Sequence, residues 1–440
     1  MHIARIELEH VRSFEKLVWH PPEDNLAGWH VIIGDNASGK TTFLRAVALS
    51  LMPSDDVKAS RFDYSSLVSH EAKHCNISLS VISDPAADTI TSENLEGLQR
   101  LPQYKYTRQF WRDHAGFGSS KTVGGGVQGE GALGWFSASF GPMRRFSGGD
   151  KDAEKLFETR PRLAAHLSLF GEDVALTEIG RWLETLRFEQ LEQDGEHPFL
   201  EHLLAFINQH DLMPHETKLT EITSKGVFFK DGRGVRVELE DLSDGFRSIL
   251  CLALELVRQM SVIFGQDIFE TTEDRLVIKP SGVVLIDEID AHLHPTWQQR
   301  VGDWFVRHFP NVQFIVTTHS PLVCQAASTG SIFRLASPEE SADSSRFLEG
   351  EERKRLVYGN ILDAYGTEAF GQVNASSATR ELREELARLN MQKNLSPEKE
   401  RRRQHLKSLL PDTMTGETTD DFLGGLLDAL HTTSPEGEDA

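Results

Sequence analysis

The chain has 440 residues, 39% of them apolar and 26% charged, enough for two or three domains with a packed core and too apolar for global disorder. Its 46 Lys and Arg against 67 Asp and Glu give a net charge of -21. That disfavours a polyanion binder working by overall charge and leaves room for a local basic patch.

The opening MHIARIELEHVRSF has no signal-peptide core, and no run approaches ~18 apolar residues. Three dispersed cysteines, Cys75, Cys251 and Cys324, lack disulfide or metal spacing. A reduced, cytoplasmic protein with no membrane partner is expected.

In chain order, His2 to Leu8 alternates, with Ile3, Ile6 and Leu8 on one side, and predicts a half-buried strand. Trp29 to Ile33 is a short apolar run ending in glycine. Thr41 to Leu51 carries Phe43, Leu44, Val47, Leu49 and Leu51 and predicts a buried helix. Residues 76–82 predict another strand. Residues 115–149 hold a glycine-rich tract, including Gly124 to Gly126, Gly129, Gly131 and Gly134, that predicts a long loop. Residues 152–212 predict helices, with Ile179, Trp182, Leu183 and Leu186 on one face.

Val227 to Phe229 and Val235 to Leu239 flank Asp231-Gly232-Arg233-Gly234 as a hairpin would. A helix is predicted from Leu242 to about Met260, then a linker, an apolar strand Val283 to Ile286, a helix from about Pro295 and a strand Val312 to Thr317. Alternating strands and helices predict an α/β fold with a parallel-core sheet. The last hundred residues read as mostly helical, with Ala378 to Leu410 rich in Leu, Arg and Glu. Residues 411–440 hold eight acidic residues and no Lys or Arg, and predict a disordered tail.

Four motifs carry chemistry. Gly34-Asp35-Asn36-Ala37-Ser38-Gly39-Lys40-Thr41 is a full GxxxxGK[ST] match between a strand and a helix, with Thr42 following on the helix. Its glycines let backbone N–H groups converge on phosphates, and the helix N-terminus adds its dipole. Lys40 is expected on the β- and γ-phosphates and Thr41 on Mg²⁺. The apolar run Val283 to Ile286 ends in Asp287-Glu288, the Walker B pattern: Asp287 for Mg²⁺ and Glu288 to polarise the attacking water.

Leu242-Ser243-Asp244-Gly245-Phe246-Arg247-Ser248 precedes a helix, and Thr317-Thr318-His319-Ser320 follows a strand. The first resembles the signature motif of ABC-type ATPases and the second their switch histidine. In that family Ser and Gly of one subunit cap the γ-phosphate held by another, and His319 would contact that phosphate. Asp290 matches the D-loop position that communicates across the dimer.

Ile6 to Phe14 is similar to the N-terminal strand of the SMC/RecF/OLD branch (AAA_21-like), where the arginine of an Arg-Ser-Phe turn, here Arg12, lies near the nucleotide. Asp287 to Pro295 is similar to the Walker B extension of OLD-like defence ATPases. The resemblance covers about residues 1–84 and 220–330. It implies an ABC-type P-loop NTPase head, a parallel-core sheet plus an antiparallel subdomain. Residues 1–84 and 220–340 would form its two halves, 85–219 an inserted glycine-rich and helical lobe, and 341–440 a helical region with an acidic tail.

It also implies ATP and Mg²⁺ as ligands and a homodimer or higher homo-oligomer. Septu-type, PARIS-type and retron-associated ATPases of anti-phage defence are similar, and they imply a separate effector, a nuclease or toxin. A RecF-like DNA-binding repair ATPase is the alternative, so DNA stays a possible partner. A transporter subunit would need a Gln loop, and none is recognisable.

No TOPRIM-like acidic pattern follows His319, so nuclease activity in the same chain is not expected. His292 and His294 read as packing or capping residues rather than metal ligands. Arg144 and Arg145 suit either a nucleotide or nucleic-acid contact or a solvated loop, and Arg401 to Arg403 a solvated helix face.

Overall fold

Ile3, Ile6 and Leu8 are buried on one side of β1 (His2–Val11), as their alternation predicts. The strand continues to Val11 and turns into β2 (Phe14–Trp19), which the sequence pattern did not reveal. In the computed structural model the described residues are 1–60, 62–82, 103–112, 118–123, 135–142, 156, 159–171, 178–193, 195–209, 212–213, 216–272, 275–370, 377–392 and 395–410. The glycines from Gly124 to Gly134, Arg144, Arg145 and the 411–440 tail lie outside them.

Next come β3 (Gly28–Ile33), α1 (Lys40–Leu51), α2 (Ser54–Ala59), β4 (His74–Ile82), β5 (Gln103–Arg112) and β6 (Gly118–Val123). Five strands form an antiparallel sheet in the order β2-β1-β4-β5-β6. β5 reads as polar because its inward position 108 is an arginine. Arg108 is fully buried and donates to the carbonyls of Leu49 (2.5 Å) and Met52 (2.8 Å) at the end of α1. Those carbonyls have no partner within the helix, and a cation there also meets the negative end of the dipole.

β7 (Ser137–Phe140) is followed by α3 (Pro161–Phe170), α4 (Glu178–Glu192) and α5 (Pro198–Ile207). Then come β8 (Lys218–Thr223), β9 (Gly226–Lys230), β10 (Arg236–Glu238), α6 (Asp244–Phe264), β11 (Phe269–Thr271), β12 (Leu276–Ile278) and β13 (Gly282–Ile286). β8 adds a third strand to the expected hairpin, and β11 with β12 forms a second hairpin inside the expected linker. The chain continues with α7 (Pro295–His308), β14 (Val312–Thr317), α8 (Pro321–Cys324), β15 (Gly330–Arg334), β16 (Arg346–Phe347), α9 (Gly350–Tyr358) and α10 (Ile361–Tyr365).

The second sheet has the order β16-β15-β3-β14-β13-β7, with five parallel strands and β16 antiparallel at one edge. It is buried on both faces, as parallel sheets are. Val31, Phe314, Val316, Val284 and Ile286 share one core with α6 and α7. Ile32, Ile315, Val283 and Leu285 share the other with α1, β1 and β4.

The stretch 85–219 therefore supplies β5 and β6 to the antiparallel sheet and β7 to the parallel one, besides α3 to α5. A run of Ser-Ala-Ser-Phe does not announce a core strand. The hydroxyls of Ser137 and Ser139 are satisfied by His166 of α3, each at 2.9 Å. Burial holds the His166 imidazole down at about 3.

Residues 373–440 form a separate unit, of which α11 (Ser377–Met391) and α12 (Pro397–Leu409) are described. Arg402 pairs with Glu385 at 2.8 Å and Arg403 with Glu400 at 2.7 Å, as residues of solvated helix faces do.

Candidate nucleotide-binding site

β3 delivers the chain to Gly34 at the carboxyl edge of the parallel sheet, where ligands bind in folds of this type. Ala37 (φ +65°) and Gly39 (φ +96°) are left-handed, so the loop doubles back before α1 starts at Lys40. A Cβ on Gly39 would lie 2.5 Å from the Phe14 ring, so glycine is also required there by space. Lys40 donates to the carbonyls of Gly34 (2.7 Å) and Asp35 (2.9 Å). Burial lowers its pKa from the ordinary lysine value, opposed by Asp287, Glu288, Asp35 and Asp290. Ser38 Oγ is buried with no hydrogen-bond partner among the described residues.

Asp287 emerges fully buried from β13. Its Oδ2 accepts from Thr41 Oγ1 at 2.7 Å, and its Oδ1 accepts from Thr317 Oγ1 at 2.6 Å. Thr317 also accepts from the Glu288 N–H at 2.7 Å. Glu288 sits at φ +46°, a conformation non-glycine residues rarely hold and one that recurs at functional sites. The Walker B pair is thus fastened on one side to the P-loop helix and on the other to β14.

The loop after Glu288 is tied to the His319 loop. Thr318 Oγ1 donates to Asp290 Oδ1 at 2.5 Å. Ser320 Oγ donates to Gln298 Oε1 at 2.7 Å, and Gln298 Nε2 donates to the Leu293 carbonyl at 2.9 Å. His319 itself is exposed, and His294 caps α7 through the Thr296 N–H at 3.4 Å.

The same loop backs onto the signature segment: a Cβ on Gly245 would lie 2.6 Å from the His292 carbonyl oxygen. Ser243 is exposed at the start of α6 and makes no side-chain cap, while Asp244 pairs with Arg247 at 2.5 Å. Arg12 (φ +50°) donates to the Ser66 carbonyl at 3.0 Å and reaches Thr42 Oγ1 at 3.4 Å.

Lys40, Thr41, Asp287 and Glu288 are therefore brought together at one edge of the sheet, with Arg12 joined through Thr42 and the His319 loop through Thr317, Thr318 and Asp290. Ser243, Asp244 and Gly245 share no hydrogen bond with the P-loop of their own chain among the described residues. Thr317 and Gln298 were missed as functional residues. The first stood inside a motif picked out for its histidine, and the second has no spacing that marks it.

ATP and Mg²⁺ fit these residues. Gly34, Gly39 and the unpartnered Ser38 hydroxyl form a cradle. The Thr41 hydroxyl and the Asp287 carboxylate are adjacent hard oxygen donors of the kind Mg²⁺ takes.

Fold and site together define an ABC-type P-loop NTPase head fold, with the GxxxxGK[ST] loop after β3, the Leu242-Ser243-Asp244-Gly245 segment at the start of α6, Asp287-Glu288 after β13 and His319 after β14. Residues 154–325 match the family model described as "AAA domain, putative AbiEii toxin, Type IV TA system". The chain is 32% identical over 165 residues to "Retron Ec83 probable ATPase" of Escherichia coli, covering 34% of this chain and 29% of that protein. It is 25% identical over 344 residues to "Septu protein PtuA" of Bacillus mycoides (strain KBAB4), covering 77% of this chain and 41% of that protein.

The chain thus spans less than half the length of either curated relative. Among solved structures, the SMC head bound to the C-winged helix domain of ScpA is 16% identical and covers 79% of this chain and 98% of that chain, with a TM-score of 0.48. Among the described residues no helix is long and apolar enough to cross a membrane.

Proposed function

We propose that the chain is an ATP-hydrolysing switch that closes as a dimer around two nucleotides and governs a separate effector in anti-phage defence. The observation that carries the ATPase reading is the Thr41–Asp287–Thr317–Glu288 chain of hydrogen bonds. Thr41 and Asp287 would hold Mg²⁺, which when bound supplies charge neutralisation at the phosphates.

Lys40 gives up the Gly34 and Asp35 carbonyls for phosphate oxygens. Glu288, aimed by its left-handed backbone, orients the attacking water and takes its proton. His319 donates to the γ-phosphate. Ser243 and Gly245, exposed and half-buried away from their own P-loop, cap the nucleotide of a second copy. The retron and Septu names of two relatives support the defence role, with the effector, a nuclease or toxin, on another polypeptide. A net charge of -21 disfavours the repair-clamp alternative.

The test is native mass spectrometry of the Glu288→Gln protein purified with ATP from its host. A dimer carrying two ATP and a stoichiometric second polypeptide is expected. A monomer at saturating ATP would overturn the dimeric switch, and an ATP-bound dimer holding only DNA would replace the defence role with the clamp.

A further inference from the structure

Beside the P-loop helix, a cavity of about 660 Å³ opens between the β1–β2 turn, the segment 65–70 and the end of β5. Arg12, Ser13, Ser66, Ser69, His70 and Arg112 line it, and no carboxylate does among the described residues. Arg12 donates to the Ser66 carbonyl at 3.0 Å, and Arg112 to the Val68 carbonyl at 2.6 Å. One short segment therefore sets both guanidinium groups. Neither is ion-paired with any described carboxylate, in a chain with 67 acidic residues against 46 basic ones. Carbonyls leave guanidinium charge uncompensated.

Two planar cationic forks, an exposed imidazole and several hydroxyls around one space match the oxygens of a phosphate group. The neighbouring groove, about 740 Å³, shares Arg12, Ser13 and Ser69 but adds Glu9, Glu15 and Glu71. A polynucleotide laid along both would meet those three carboxylates against one added lysine, Lys73, so a compact ligand fits better. The first cavity alone has the volume of a small-molecule pocket.

We propose that this cavity is a second phosphate site, distinct from the P-loop, that takes a compact phosphorylated ligand of nucleotide size. Arg12 links the two sites, since the same guanidinium reaches Thr42 on the P-loop helix.

The test is calorimetric titration of inorganic pyrophosphate into the protein already saturated with a non-hydrolysable ATP analogue. One further site per chain is expected. It should weaken by about tenfold or more in Arg112→Gln and in His70→Glu, and persist in His70→Lys, with affinity for the ATP analogue unchanged in all three. His70 is exposed, so its variants keep the test valid should Arg112→Gln fail to fold.

No binding beyond the analogue, one-to-one competition with the analogue, or equal binding by wild type and His70→Glu would overturn the proposal. Tighter binding of a single-stranded oligothymidylate than of pyrophosphate, lost in the same variants, would replace the compact ligand with a polynucleotide.

Discussion

Thr317 and Asp287 share a 2.6 Å hydrogen bond in which the threonine hydroxyl donates and the buried carboxylate accepts. The same hydroxyl accepts from the Glu288 N–H, so a single side chain from β14 fixes the Asp287 carboxylate and the Glu288 backbone. Thr317→Val keeps the shape and strands both partners, a loss of about 1–3 kcal/mol for buried polar groups. Steady-state kinetics should show kcat falling further than KM changes, and Thr317→Ser should restore most of the rate. A valine variant with the wild-type kcat would sink this role.

Glu288→Gln retains the left-handed backbone contact with Thr317 but cannot take a proton. Turnover should drop by about 10²–10⁴, the usual contribution of a general base. Equilibrium binding of labelled ATP should be unchanged. Single-turnover hydrolysis at the wild-type rate would falsify the assignment.

Ser243→Arg places a long cation where a second copy's γ-phosphate cap belongs. In the Glu288→Gln background, light scattering with ATP should report a monomer, while each chain still binds one nucleotide. Gly245→Ala should act differently, because its Cβ meets the His292 carbonyl at 2.6 Å inside the same chain. It should lower the melting temperature even without ATP. An ATP-dependent dimer in Ser243→Arg counts against the trans cap.

Two buried histidines make the fold acid-sensitive. Burial lowers His166 to about 3 and His30 to about 4, against an ordinary 6.5. Because their folded values lie below the unfolded one, their stabilising contribution is complete above about 6.5 and is lost as pH falls towards 4. Each adds a slope of about 1.4 kcal/mol per pH unit in that window. Urea melts from pH 7.5 to 5 should show it, and His166→Gln should flatten it. A flat wild-type profile would show that neither histidine is buried neutral.

The parallel core and the meeting of Gly34 to Thr41 with Asp287 and Glu288 were legible because that arrangement demands particular residue types in order. β5 and β7 were not. In β5 the inward face of Tyr106 and Phe110 is interrupted by Arg108, whose reason to be buried lies at Leu49 and Met52, far away in sequence. In β7 two serines are buried because His166 answers both. Such strands are licensed by distant partners, which no local period can show. The Gln298 bridge was invisible for the same cause.

The Arg108 clamp has a mechanical consequence. α1 is held at its start by the P-loop and at its end by β5, and its 12 residues make a rod of about 18 Å. A tug on the Lys40 end cannot be absorbed by fraying at the other. It must be passed on as a displacement of β5 and the sheet edge beside it. Amide exchange along β5, with and without ATP, reads that stroke directly. Under the proposed function the antiparallel sheet is where ATP at Lys40 would be felt, and identical exchange along β5 with and without ATP would count against it.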